Sequence, residues 1–207
     1  MKNFYKICYI IDMVNGFVYE GVMHDSYIAH TEDEQVRLIE SLLNEKQGVA
    51  LIGEWHPENS VEFLTYPAHC KIGTSEVEFV EKLKKYEDNV LIYRKNSTNA
   101  IFAPGLIDDL NKMKNLKEII IGGCCTDICV LHFVLSLKTY LNQMNRDVKI
   151  FVVESMTETY EGPNHNREEY NEIAYRLMRQ NGVEIIKDLK QLKERENQLG
   201  LNCKKGR

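Results

Sequence analysis

Glu118-Ile-Ile-Ile-Gly-Gly-Cys-Cys-Thr-Asp-Ile-Cys-Val (118–130) decides the fold. Its isoleucines make the short, two-sided apolar run of a strand buried on both faces. Two glycines stop the run, and from Thr126 the spacing turns helical. Working outward, β-branched runs of the same kind occur at Ile7–Asp12, Val49–Gly53 and Val90–Tyr93, then at Ile119–Ile121 within the stretch itself, and at Val148–Val153 and Val183–Ile186. Helical patterns fill the intervals at Glu32–Asn44, Ser75–Lys85, Ile107–Met113, Asp127–Leu141 and Arg167–Gln180. Thr31 with Glu34 reads as a capping box, and Gly182 as the stop of the last helix. This alternation predicts an α/β fold, a doubly wound parallel six-stranded sheet flanked by helices. It forms a single domain over 1–190, followed by a charged C-terminal tail, 191–207, with a fraying end.

Composition narrows the function. The chain has 207 residues, 43% hydrophobic and 28% charged, which suits one ordinary globular core. A net charge of -5 with interspersed signs leaves no basic stripe for nucleic acid. No apolar stretch approaches the ~18 residues of a membrane span, and the first residues run into a strand pattern without a signal-like segment, so a cytoplasmic location is expected. The six cysteines (8, 70, 124, 125, 129 and 203) are read as reduced thiols, because Cys124 and Cys125 are neighbours that suit no ordinary bridge. Cys8 is expected as buried filler, and Cys203 lies in the polar tail.

In such sheets ligands bind beyond the carboxyl ends of the strands. Asp12, Glu54, Lys95 and Cys125 to Cys129 all fall there, offering carboxylates, an ammonium and thiols to one convergent site. Cys129 would lie at a helix N-terminus, where unpaired N–H groups and the helix dipole favour the thiolate, its nucleophilic form. The competing readings are a small core cysteine, a turn-capping Asp12 and a solvated Lys95.

The motifs Ile-Asp-Met-Val-Asn-Gly-Phe (11–17), Trp-His (55–56), Pro-Ala-His-Cys (67–70), Lys-Asn-Ser-Thr-Asn (95–99) and Cys-Thr-Asp-Ile-Cys-Val (125–130), in this order, resemble the isochorismatase-like cysteine hydrolases, the group that includes nicotinamidases. The resemblance implies a catalytic triad of Asp12, Lys95 and Cys129, with a cis peptide between Cys124 and Cys125 turning the amides of Cys125 and Cys129 into an oxyanion hole. It also implies a divalent metal, zinc first and manganese or iron as alternatives, held by Glu54, His56, Glu62 and His69. Glu54 departs from the usual aspartate by one methylene, so the loop adjusts or the metal is weakly held. The bland readings are a turn for His56, a surface position for Glu62 and a backbone hydrogen bond for His69.

By the same resemblance Phe17 and Tyr66 wall the substrate ring, with core packing as the rival for Phe17, and Phe102 has less support. His24, His30 and His132 lack ligand-like spacing. His165 is placed near the mouth without chemistry. The implied activity is hydrolysis of a small non-peptide amide through a thioester, nicotinamide to nicotinate being the first choice. Another amidohydrolase, acting on a carbamoyl compound or ureide, and a catalytically silent binding protein are the alternatives. A small-molecule amide is the expected partner, and homo-oligomerisation is permitted without an interface signature.

Overall fold

The computed structural model describes the backbone of residues 3–205 and the side chains of residues 3–198. β1 (Lys6–Ile11), β2 (Gly48–Glu54), β3 (Leu91–Lys95), β4 (Glu118–Cys124), β5 (Lys149–Glu158) and β6 (Glu184–Ile186) form one sheet in the order β3-β2-β1-β4-β5-β6. Every pairing is parallel. The strand order reverses between β1 and β4, so the crevice beyond these two carboxyl ends is the switch point where ligands bind.

Alternation along the strands builds two cores. Ile7, Tyr9 and Ile11 face the layer that holds α4 (Leu106–Lys112), α5 (Leu131–Gln143) and α6 (Arg167–Gln180), where Tyr9 meets Phe133 edge-on at 5.4 Å. Cys8 and Ile10 face the opposite layer, which receives Leu38, Ile39 and Leu42 of α2 (Glu32–Asn44). A one-residue slip of β1 would exchange these faces, so burial pins the register.

The glycines of the deciding stretch do not end the strand. β4 runs through both to Cys124, and its register against β5 shifts between Ile121 and Gly123. At Gly123, with φ of 115°, a Cβ would lie 2.0 Å from the Ile11 carbonyl oxygen. Only glycine lets β4 lie this close to β1 at the switch point.

Three local expectations change. The Ser75–Lys85 pattern splits into a 3-10 turn, Ser75–Val77, and α3 (Glu81–Lys84), because the backbone between them pairs with the segment after β1. Asn15 N–H donates to Glu78 O and Val80 N–H to Met13 O, and these tertiary bonds override the helical spacing. Thr31 does not cap α2. A 3-10 turn, Ser26–Thr31, runs straight into the helix, leaving the Thr31 hydroxyl to bond Ile28 O. Beyond β6 the chain continues as α7 (Leu189–Lys205), anchored by buried Leu192, by a Lys6–Glu196 ion pair at 2.7 Å and by Arg195 on Glu184. The side chain of Cys203 lies outside the described residues. Among the described residues no helix is long and apolar enough to cross a membrane.

Candidate active site

Asp12 is the first residue past β1. It takes a left-handed conformation (φ 53°), which aspartate tolerates better than most residues, and its N–H bonds Ile52 O at 2.8 Å. Glu54 and Lys95 are the last residues of β2 and β3, not residues beyond them. Cys129 lies in a π turn, Thr126–Val130, in which Val130 N–H reaches back five residues to Cys125 O. The peptide joining Cys124 to Cys125 is cis.

These elements converge. Lys95 Nζ lies 2.7 Å from Asp12 Oδ2, 2.6 Å from Glu54 Oε1 and 3.8 Å from Cys129 Sγ. Atoms of Asp12, Glu54 and Cys129 fall within 4.8 Å of one another. Asp12, Glu54 and Lys95 are sealed from solvent, and Cys129 is 5% exposed at the floor of a cavity of about 350 Å³. Such burial of charge persists only because each group is compensated by its neighbours.

Burial raises the Asp12 carboxyl; Lys95 opposes and Glu54 adds to the rise, leaving it at about 6. Burial by itself would neutralise Lys95, but Asp12, Cys129 and Glu54 outweigh it and hold the ammonium firmly charged. The Cys129 thiol is pushed well above its ordinary value by burial, against the pull of Lys95. The helix end lies inside a desolvated pocket with two carboxylates, so burial there works against the thiolate that the helix N-terminus was expected to favour. Asp12 and the sulfur lie in one buried group, their polar atoms within 4.8 Å of each other.

Glu54, His56, Glu62 and His69 also meet, with ligand atoms within 4.8 Å of one another. Glu54 Oε2 lies 2.6 Å from His56 Nε2 and 2.8 Å from His69 Nε2. The opposite nitrogens face carbonyl oxygens, His56 Nδ1 that of Asn96 at 2.7 Å and His69 Nδ1 that of Pro67 at 2.7 Å. With a cation between the rings, such acceptors would hold the proton on Nδ1 and leave both Nε2 atoms free to ligate, the usual support of metal-binding histidines. Glu62 Oε2 accepts from Thr98 N–H, whereas its buried Oε1 has no hydrogen-bond partner and lies 3.8 Å from His56 Nε2. An orphaned buried carboxylate oxygen beside two imidazoles fits a divalent cation. The extra methylene of Glu54 carries its other oxygen onto Lys95, so one carboxylate joins the two clusters.

Phe17 and Tyr66 line the cavity, and Phe17 is also packed, 5.4 Å from the His69 ring. Phe102 points elsewhere and is 75% exposed. His132 is exposed, its Nδ1 resting 3.0 Å from Thr98 Oγ1. Asn96, which orients His56 and bonds the Ser60 hydroxyl, escaped the sequence reading although it adjoins Lys95 in its motif. So did Tyr160, a lining residue without any motif of its own.

A family model described as the Isochorismatase domain matches residues 6–188. Nicotinamidase 1 of Arabidopsis thaliana is 35% identical over 140 residues, which are 60% of this chain and 57% of that protein, so the match spans little more than half of the relative. Solved structures of similar fold include the pyrazinamidase/nicotinamidase of Streptococcus mutans, with a TM-score of 0.75, 21% identity, and coverage of 87% of this chain and 99% of that one. The pyrazinamidase of Pyrococcus horikoshii in complex with zinc has a TM-score of 0.71 at 20% identity, covering 88% and 99%. At these identities the structural likeness concerns the fold alone. The family model covers Asp12, Glu54 and Lys95 as well as the turn that carries Cys129, and this chain belongs to the isochorismatase-domain family.

Proposed function

We propose that this chain hydrolyses a small non-peptide carboxamide through a cysteine thioester, with nicotinamide going to nicotinate and ammonia as the first-choice reaction. The observation that carries the reading is Cys129 at the floor of a cavity, backed by Asp12 and Lys95 in one buried ion-paired group. Asp12 takes the thiol proton as sulfur attacks the carbonyl carbon, and the ammonium of Lys95 offsets the negative charge on both partners. The amides of Cys125 and Cys129 receive the oxyanion. The C–N bond breaks as Asp12 returns the proton to the nitrogen, releasing ammonia. Water then gives a proton to Asp12 and attacks the thioester; the carboxylic acid leaves as sulfur regains that proton, and ionises by giving its own proton to the released ammonia.

Glu54, His56, Glu62 and His69 are the residues that would hold a divalent ion, zinc by the chemistry of the donors. When bound, the ion would supply a Lewis-acidic site for a ring nitrogen or a water, because the nucleophile is already provided. Phe17 and Tyr66 would enclose the substrate ring. A second reading, a carbamoyl or ureide amidohydrolase working without metal, is favoured by one observation: Glu54 Oε1 is committed to Lys95.

The test is ammonia release from nicotinamide by the wild type and Cys129→Ala, before and after chelation. Release that depends on the thiol and the metal supports the first reading. Thiol-dependent release that survives chelation supports the second, and no release from a panel of small amides, with Cys129 slow to alkylate, leaves a binding protein.

A further inference from the structure

The loop after β5 holds a cluster that the reaction scheme leaves unused. His165, only 8% exposed, is sandwiched between two phenol rings, parallel to Tyr160 (centroids 3.9 Å apart, 8° between planes) and tilted against Tyr170 (3.8 Å, 31°). Both ring nitrogens are engaged. Nδ1 lies 3.0 Å from the Tyr160 carbonyl oxygen, and Nε2 lies 2.8 Å from Asp127 Oδ2. Asp127 sits in the π turn two residues before Cys129, and its Oδ1 accepts the Thr159 hydroxyl at 2.5 Å. Arg167 Nε donates to Thr159 O at 2.9 Å, and Gly162 and His165 close the loop on itself through paired backbone bonds.

Two segments far apart in sequence are therefore fastened together at the nucleophile turn. Tyr160 lines the cavity with Phe17 and Tyr66, whereas His165 does not. Neither the Tyr160 nor the Tyr66 hydroxyl hydrogen-bonds to another described residue. One ring of the wall is thus held from behind by a side chain that cannot itself reach a ligand. Holding a loop residue in place before binding removes an ordering cost that the ligand would otherwise bear.

We propose that Tyr160 is a third aromatic wall of the substrate cavity and that His165, clipped to Asp127, is the positioning residue that sets it. The occupant it fits is a planar ring-bearing carboxamide, stacked on the phenol or hydrogen-bonded to its hydroxyl. The identity of this occupant rests on the amidase reading.

The experiment measures kcat and KM for nicotinamide, the melting temperature, and the concentration of nicotinamide that half-protects Cys129 from iodoacetamide, followed by peptide mass. Tyr160→Ala and His165→Ala are each expected to raise KM and the half-protecting concentration by about fivefold to tenfold, the worth of one aromatic contact. Their kcat should stay within about twofold of the wild type. His165→Phe, which keeps a ring between the tyrosines, should recover part of the loss. The double variant should bind no worse than Tyr160→Ala, because His165 acts through Tyr160. Additive losses, unchanged KM and protection, or a fall in kcat and melting temperature without recovery by His165→Phe would overturn the proposal. The two readouts separate it from the amidase reading: protection that shifts as stated without any ammonia release sinks the activity and keeps the clip. Absence of protection in the wild type sinks the clip.

Discussion

Cys8 in the middle of β1 and Cys129 past the end of β4 are both buried thiols, and their surroundings make them chemical opposites. Cys8 packs among Ile10, Leu51 and Phe151, and burial alone pushes its thiol upward. Cys129 is desolvated too, but an ammonium, a carboxylate that titrates near 6 and a second carboxylate surround it, and a cavity opens above it. The interior of the sheet makes a cysteine inert. Its carboxyl rim, where strands end and charged side chains can be buried in compensating groups, offers one to the proposed chemistry.

The largest effect that would break this contrast concerns the sulfur. Cys129→Ala is expected to lower amide hydrolysis by at least ~10⁴-fold, measured as ammonia release, because removing a nucleophile leaves only binding and the oxyanion site. A variant that kept its rate would erase the distinction between rim and interior.

Next comes the base. Asp12→Asn should cost about 10²–10⁴-fold. The carboxyl is raised to about 6, so in the wild type it is ionised and able to accept a proton above that pH and is blocked by its own proton below it. The wild-type kcat/KM should therefore rise with pH through about 6 and level off, and the residual rate of Asp12→Asn should lack that limb.

Removing metal tests whether the rim's second cluster takes part. Chelation, or His56→Ala, is expected to reduce nicotinamide hydrolysis by about 10–100-fold. Zinc binding, followed with a chromogenic chelator, should weaken as pH falls, because protons compete for the His56 and His69 Nε2 positions. The smallest effect lies in the interior. Cys8→Ala should lower unfolding free energy by about 1–2 kcal/mol in a denaturant titration and leave the rate per folded molecule unchanged.

Much of this was legible in the chain. The six strands appear as short β-branched runs because a strand buried on both faces has no polar positions to spare, and Asp12, Glu54 and Lys95 stand out as charges at the ends of such runs. The motif order then pointed to Cys129, His56, Glu62 and His69 before any geometry. Local periodicity misled at Ser75–Lys85, where backbone pairing with the segment after β1 replaced a helix, and at Gly122 and Gly123, which read as a stop and are a close approach. Tyr160 was invisible as a site residue because nothing local marks it, and Asn96 was passed over although it stands in the 95–99 motif. Asn96 matters through His56, forty positions away, and Tyr160 through the His165 ring, which is itself held by Asp127 on the nucleophile turn.

Pattern and composition alone determined the parallel α/β architecture and the chemical parts at its rim, since both follow from which side chains are apolar and where the runs stop. Tertiary structure decided the surroundings of the sulfur, the joining of two clusters through Glu54 and the packing of His165 against Tyr160. These depend on distances of a few ångströms between distant residues and on how thoroughly water is excluded around them, and neither quantity is carried by any stretch of chain.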